Sequence, residues 1–200
     1  MKIVVIGATG VIGSAVVSAL APRHEVIAVS RHTSPGVDIE DPASIAALFR
    51  ALPAVDGVVS CAGAAAFRPL AQLTDEDFAM SLRNKLMGQV NVVRAALGKV
   101  RDRGSVTFTS GVLAQRPMPG AAAISMVNAG LEGFARGAAL EAPREIRVNV
   151  VSPPWAKETL ARLKMPDVPG SLSAAAIARA YVAAVEGNHR GETLEPARFQ

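Results

Sequence analysis

The sequence predicts an α/β domain on a parallel sheet of about seven strands, doubly wound with helices on both faces. Three observations carry this. Short, β-branched, all-apolar runs recur along the chain, as strands buried on both faces do. They alternate with longer helical patterns, which calls for right-handed crossovers between parallel neighbours. The chain has 200 residues, half of them apolar, and no linker or repeat divides it, so residues 1–200 read as one domain.

The elements follow in order. Lys2-Ile3-Val4-Val5-Ile6 is the first strand, and an apolar helix near 11–20 follows it. Residues 25–30 form the second strand, and Val37-Asp38-Ile39 suggests a short third. Asp41 caps a helix over about 42–51, with Pro42 in its first turn. Residues 57–61 form the fourth strand. A long helix over about 75–98 starts at Thr74, with Asp75, Glu76 and Asp77 in its first turn; those acids mark a helix start rather than a catalytic cluster. The fifth strand is 105–109, and a second long helix runs over about 121–142. The sixth strand, 146–151, ends at Ser152-Pro153-Pro154. Two shorter helices flank a loop at 166–170, and the last strand is 192–194.

The turn after the first strand is Gly7-Ala8-Thr9-Gly10-Val11-Ile12-Gly13. Glycines let the backbone swing tightly and let a pyrophosphate approach it. The helix N-terminus behind them offers free N–H groups and the positive end of a dipole, so Thr9, Val11 and Ile12 would act there through their backbones. The feature predicts a dinucleotide.

Composition excludes other classes. The net charge is +4, but basic residues are scattered singly and aromatics are only 4%, which argues against nucleic acid. No apolar run approaches the roughly 20 residues of a membrane span. The N-terminus reads as a strand rather than a signal peptide. Cys61 is alone and His24, His32 and His189 are dispersed, so neither a disulfide framework nor a metal site is expected, and a reducing cytoplasm is.

Several marks in one order resemble the short-chain dehydrogenases/reductases, over nearly the whole chain. Gly7, Gly10 and Gly13 match the family's cofactor turn. Asp38, with Ile39 beside it, matches the position that holds the adenine. Cys61-Ala62-Gly63 matches the end of an Asn-Asn-Ala-Gly motif whose asparagines are here Ser60 and Cys61. Ser110 matches the catalytic serine, residues 129–134 and 139–141 match the helix after the catalytic tyrosine and lysine, and Arg147 to Pro153 match the sixth strand and the proline on the nicotinamide side. The resemblance implies a Rossmann-type fold, a nicotinamide cofactor and a small-molecule substrate. It also implies a homodimer or homotetramer through the two long helices, whose small residues include Gly88, Ala95, Gly130 and Gly137. The chain is shorter than the family's usual length after Pro154, where the substrate lid lies.

The second strand ends Ser30-Arg31-His32. An acid there would bind a ribose 2′-hydroxyl and repel a 2′-phosphate, whereas Arg31 can pair with that phosphate. NADP(H) is therefore expected over NAD(H).

The catalytic set departs from the family's. Aligned on Pro119-Gly120 and Ala129 to Gly133, Ile124 stands at the family's tyrosine and Asn128 at its lysine. Aligned on Gly88, Lys85 stands at the asparagine of the preceding helix; an alternative register gives that role to Asn84 and puts Lys85 at the surface. The first register implies that lysine and asparagine have exchanged sides, leaving Ser110, Lys85 and Asn128 as the catalytic residues. Tyr181 reads as a packing residue. The expectation is a carbonyl reductase with a non-standard proton donor. The alternatives are a weak or inactive NADP(H) sensor or scaffold, and a non-redox enzyme in the same pocket.

Overall fold

A computed structural model describes residues 1–200. Six strands form one parallel sheet: β1 Lys2–Ile6, β2 Glu25–Val29, β3 Val55–Ser60, β4 Val100–Thr109, β5 Arg147–Val151 and β6 Thr193–Leu194. Their order is β2-β1-β3-β4-β5-β6. The helices are α1 Val11–Leu20, α2 Pro42–Ala51, α3 Asp75–Ser81, α4 Gly88–Ala96, α5 Ala122–Glu141, α6 Lys157–Arg162 and α7 Ala174–Glu186.

The sheet divides the core. One apolar cluster joins Val4, Val58, Phe108 and Val150 to Leu48, Val92, Val93 and Leu131, from α2, α4 and α5. The other joins Ile3, Val5, Val59 and Val151 to Val16, Leu20, Ile177 and Tyr181, from α1 and α7. Adjacent residues of Ile3–Ile6 in β1 point to opposite faces and both faces are covered, which is why this run is apolar throughout.

The expected third strand is absent. Val37 and Ile39 are buried as a strand pattern would bury them, but the backbone has no neighbour to pair with. Val37 N–H donates to Ser30 O (3.0 Å), folding the segment back on the end of β2, and Asp38 N–H donates to Ser44 Oγ (3.0 Å). The sheet therefore has six strands rather than seven.

Local signals hold at the helix starts. Asp41 Oδ1 accepts from Ala43 N–H at 2.8 Å. Thr74 and Asp77 form a reciprocal capping box, Asp77 N–H to Thr74 Oγ1 at 3.2 Å and Thr74 N–H to Asp77 Oδ2 at 3.0 Å. The long helix that begins there is not uniform, because Leu82–Met87 between α3 and α4 is π-helical. Such insertions re-aim side chains and recur at functional sites. Lys85 lies inside it. Buried Gln89, just beyond, accepts from Thr109 N–H (2.9 Å) and donates to Thr109 O (2.7 Å), clamping the helix to the end of β4.

Candidate active site

The carboxyl ends of the parallel strands open into two adjoining spaces. The first is a groove of about 400 Å3 lined by Gly7, Thr9, Gly10, Arg31, Asp38 and Ile39, together with Cys61, Ala62 and Gly63. The second is a cavity of about 180 Å3, lined by Ser110, Lys85, Asn128, Ile124, Trp155 and Pro153 among others. Cys61 and Gly63 border both.

The groove begins at the glycine turn. Gly7 has φ +81°, and a Cβ on it would lie 2.8 Å from Ala62 N. A Cβ on Gly13 would lie 2.0 Å from Gly7 O, so α1 can seat on the turn only with glycine there. Gly10 is the N-cap of α1 and provides no side-chain cap, which leaves the N–H groups of Val11, Ile12 and Gly13 open. Arg31 and Arg162 also line the groove, and neither makes a salt bridge. Asp38 is exposed and its Oδ1 accepts from Glu40 N–H (3.0 Å).

Asn84 and Lys85, adjacent in sequence, serve different spaces. Asn84 lines the groove; its Oδ1 accepts from Ala64 N–H (2.6 Å) and its Nδ2 donates to Glu40, holding the loop after β3 in place. The Asn84 contact is the first reason that the Glu40 carboxyl lies below the ordinary carboxylate range. Lys85 turns into the cavity. Its side chain passes Gly63, where a Cβ would sit 3.1 Å from Lys85 Cγ, and its Nζ donates to Ser110 O at 3.2 Å. Lys85 is 8% exposed, and burial pushes its ammonium down from 10.5 to about 8.

Asn128 faces the same cavity from α5. Its Nδ2 donates to Gly111 O (3.4 Å), and its Oδ1 is buried without a partner. Such an acceptor in a ligand cavity suits a hydroxyl donor brought by a ligand. Ile124, one turn earlier, gives the cavity an apolar wall.

Ser110 lines the cavity, but its Oγ donates to Glu132 Oε1 at 2.9 Å. Glu132 is 6% exposed, and it also accepts from Ser152 Oγ (3.0 Å) and from Gln115 Nε2. Sequence reasoning missed Glu132. Its signal was a carboxylate among the inward positions of α5, between Val127, Leu131 and Ala135. Gln89 was missed for the same kind of reason.

Two other residues are removed from chemistry. Tyr181 is fully buried and hydrogen-bonds Thr109 Oγ1 at 2.7 Å, a packing role. Burial pushes the Cys61 thiol up to about 12, which disfavours the reactive thiolate.

The fold and the groove define an α/β dinucleotide-binding protein. The family profile described as Enoyl-(Acyl carrier protein) reductase matches residues 10–186, and the chain belongs to the short-chain dehydrogenase/reductase family of nicotinamide-dependent oxidoreductases. It is similar to the protein lin1944 from Listeria innocua, at 39% identity and a TM-score of 0.93 over 98% of each chain. A small-chain dehydrogenase in complex with NADPH shares the fold at 24% identity and a TM-score of 0.86, over 98% of this chain and 95% of that one. The hydroxynaphthalene reductase-like protein Arp2 from Metarhizium brunneum is 30% identical over 147 residues, which is 68% of this chain and 55% of that protein. The chain spans about half the length of the curated relatives it matches. No helix is long and apolar enough to cross a membrane.

Proposed function

We propose that this protein binds NADP(H) and reduces a small carbonyl compound, with Lys85 as proton donor. The observation that carries this reading is Lys85: a buried ammonium, lowered to about 8, lining the same cavity as Ser110 and Asn128. When bound, NADPH supplies a hydride. The open N–H groups of Val11, Ile12 and Gly13 would hold the pyrophosphate. Arg31 would pair with the 2′-phosphate, and Asp38 and Ile39 would border the adenine. Asn128 Oδ1 would accept from a ribose or substrate hydroxyl.

Lys85 does what the family's tyrosine would do. An amine that titrates near 8 carries its proton at neutral pH and releases it far more readily than an ordinary lysine. Ser110 O holds one of its N–H bonds, which leaves two donors for a carbonyl oxygen. Ile124 has no proton to give, so the general-acid contribution, about 10²–10⁴-fold in rate, rests on Lys85. Ile124 also favours a second reading, a cofactor-binding sensor or scaffold with little turnover.

Exposed Leu82, Met87 and Met126 lie on the long helices, in keeping with a homodimer or homotetramer through them. Cys61, alone and without a disulfide partner, is in keeping with a cytoplasmic setting.

The deciding experiment is an NADPH-consumption screen over aldehydes, ketones and quinones, paired with calorimetric NADPH binding. Turnover that Lys85→Met abolishes, with NADPH affinity kept, supports the reductase. Tight NADPH binding without turnover on any substrate supports the sensor.

A further inference from the structure

Glu132 has no part in the reading above, yet it is the most fully hydrogen-bonded carboxylate near the cavity. It does not line that cavity; it stands behind Ser110. Its three donors come from three places: Ser110 just after β4, Ser152 just after β5, and Gln115 on the loop that walls the cavity. A carboxylate removed from water is tolerated only when such donors replace its hydration. The arrangement is built.

A serine hydroxyl has one proton. Hydrogen bonds to a carboxylate are about twice as strong as neutral ones. The other acceptor in reach of Ser110 Oγ, Val151 O, is 3.4 Å away, against 2.9 Å for Glu132. With its proton committed to Glu132, Ser110 can offer the cavity only oxygen lone pairs. Lys85 has the opposite character: it has donors only, and it is tethered to the carbonyl of the same residue. Donor and acceptor are thus brought together at one residue, Ser110.

We propose that Glu132 is a positioning residue that makes Ser110 a hydrogen-bond acceptor, so that the site selects a carbonyl carrying a neighbouring hydroxyl or enol. The carbonyl oxygen meets Lys85, and the neighbouring hydroxyl donates to Ser110 Oγ. This rests on the reductase reading for the role of Lys85. The orientation of Ser110 stands independently of it.

Two measurements test it. Neutron diffraction on the deuterated protein locates the Ser110 deuteron. It is expected between Ser110 Oγ and Glu132; a deuteron directed into the cavity overturns the proposal, whether or not any substrate turns over. Calorimetry on the NADP+-loaded protein then compares 2-hydroxyacetophenone with acetophenone, and 2-hydroxycyclohexanone with cyclohexanone. The hydroxy compounds are expected to bind about tenfold tighter, the range of one added hydrogen bond. Ser110→Ala should remove the preference. Glu132→Val, which frees the hydroxyl to rotate, should reduce it to under about threefold, and Glu132→Gln, whose amide oxygen still accepts, should restore most of it. Equal affinities in the unmodified protein overturn the proposal, as does a preference that survives Glu132→Val. Should Glu132→Val fail to fold, the neutron map and the Ser110→Ala comparison still decide. A hydroxyl preference without turnover leaves Glu132 in place and removes only the reductase.

Discussion

Lys85 and Glu132 hold Ser110 from opposite ends: Lys85 Nζ donates to its carbonyl oxygen at 3.2 Å, and its hydroxyl donates to Glu132 at 2.9 Å. One residue at the end of β4 therefore connects a buried ammonium to a buried carboxylate. Each of these buried charges is fixed by its hydrogen bond to Ser110, because moving either one would leave it without that partner. The π-helical segment makes this possible. It sends Lys85 inward while Asn84, the residue before it, faces the dinucleotide groove.

The first prediction concerns pH. As an acid, Lys85 works only while protonated, and its ammonium is lowered to about 8. The kcat for reduction should be level below about pH 8 and fall about tenfold per unit above it. Lys85→Arg, which stays protonated and cannot act as an acid, should lose at least about 100-fold in kcat. A rate that stays level to pH 10 removes Lys85 from the proton step.

The same residue predicts a stability gain on its loss. The Lys85 amine titrates near 8 in the folded protein and near 10.5 unfolded. Between these values the unfolded chain binds more protons, so stability rises with pH across that window. Below about pH 8 both states are protonated and the folded state carries the full penalty, of order 3 kcal/mol. Lys85→Met removes the penalty and leaves Ser110 O without its donor, which returns about 1–2 kcal/mol. At pH 7 the variant should melt about 2–6 °C higher than the parent, and the gap should narrow as pH passes 9. A lower melting temperature at pH 7 contradicts the burial argument.

Most of the fold was legible because the deciding signals are local: apolar strand runs, the glycine turn, Asp41 and Thr74 as caps. The third strand failed for a non-local reason. Val37 and Ile39 are buried as their pattern required, but whether a strand forms depends on a pairing partner, and here Ser30 and Ser44 take the backbone donors instead. In the site, the residue types at 85, 110 and 128 could be read from their order in the chain. Glu132 could not, because its partners come from Ser110, Gln115 and Ser152, which only the folded sheet brings together. Nor does local propensity mark a π-helical turn, so the opposite facing of Asn84 and Lys85 was hidden too.

The third prediction tests the seat of α1. Gly13→Ala places a methyl 2.0 Å from Gly7 O and 2.7 Å from Gly7 C, both backbone atoms with nowhere to move. The helix must lift off the turn, costing about 1–3 kcal/mol as overpacking does. NADPH affinity should fall at least about tenfold with it, since the pyrophosphate donors move with the helix. Gly10→Ala places its Cβ 3.3 Å from the same oxygen, so a shift of a few tenths of an ångström relieves it, and its loss should be smaller on both scales. Equal losses in the two variants would mean that the contact at Gly13 does not set the turn.

The last prediction separates the two nicotinamide cofactors. Arg31 is exposed, lines the groove and makes no salt bridge, so its charge is available to a ligand. A 2′-phosphate carries negative charge and several acceptor oxygens, and a guanidinium meets it with paired N–H bonds. NADPH should bind at least about tenfold tighter than NADH, the scale of one charge-assisted contact. Arg31→Ala should bring the two close to parity by weakening NADPH, with NADH affinity changed by less than about threefold. Arg31→Glu should reverse the order, because a carboxylate repels the phosphate and accepts from the free 2′-hydroxyl. The preference should also shrink between 0.05 and about 0.5 M salt, since an exposed charge is screened. Titrations followed by nicotinamide fluorescence measure all four quantities, and an NADPH preference that survives Arg31→Ala would place phosphate recognition on another residue of the groove.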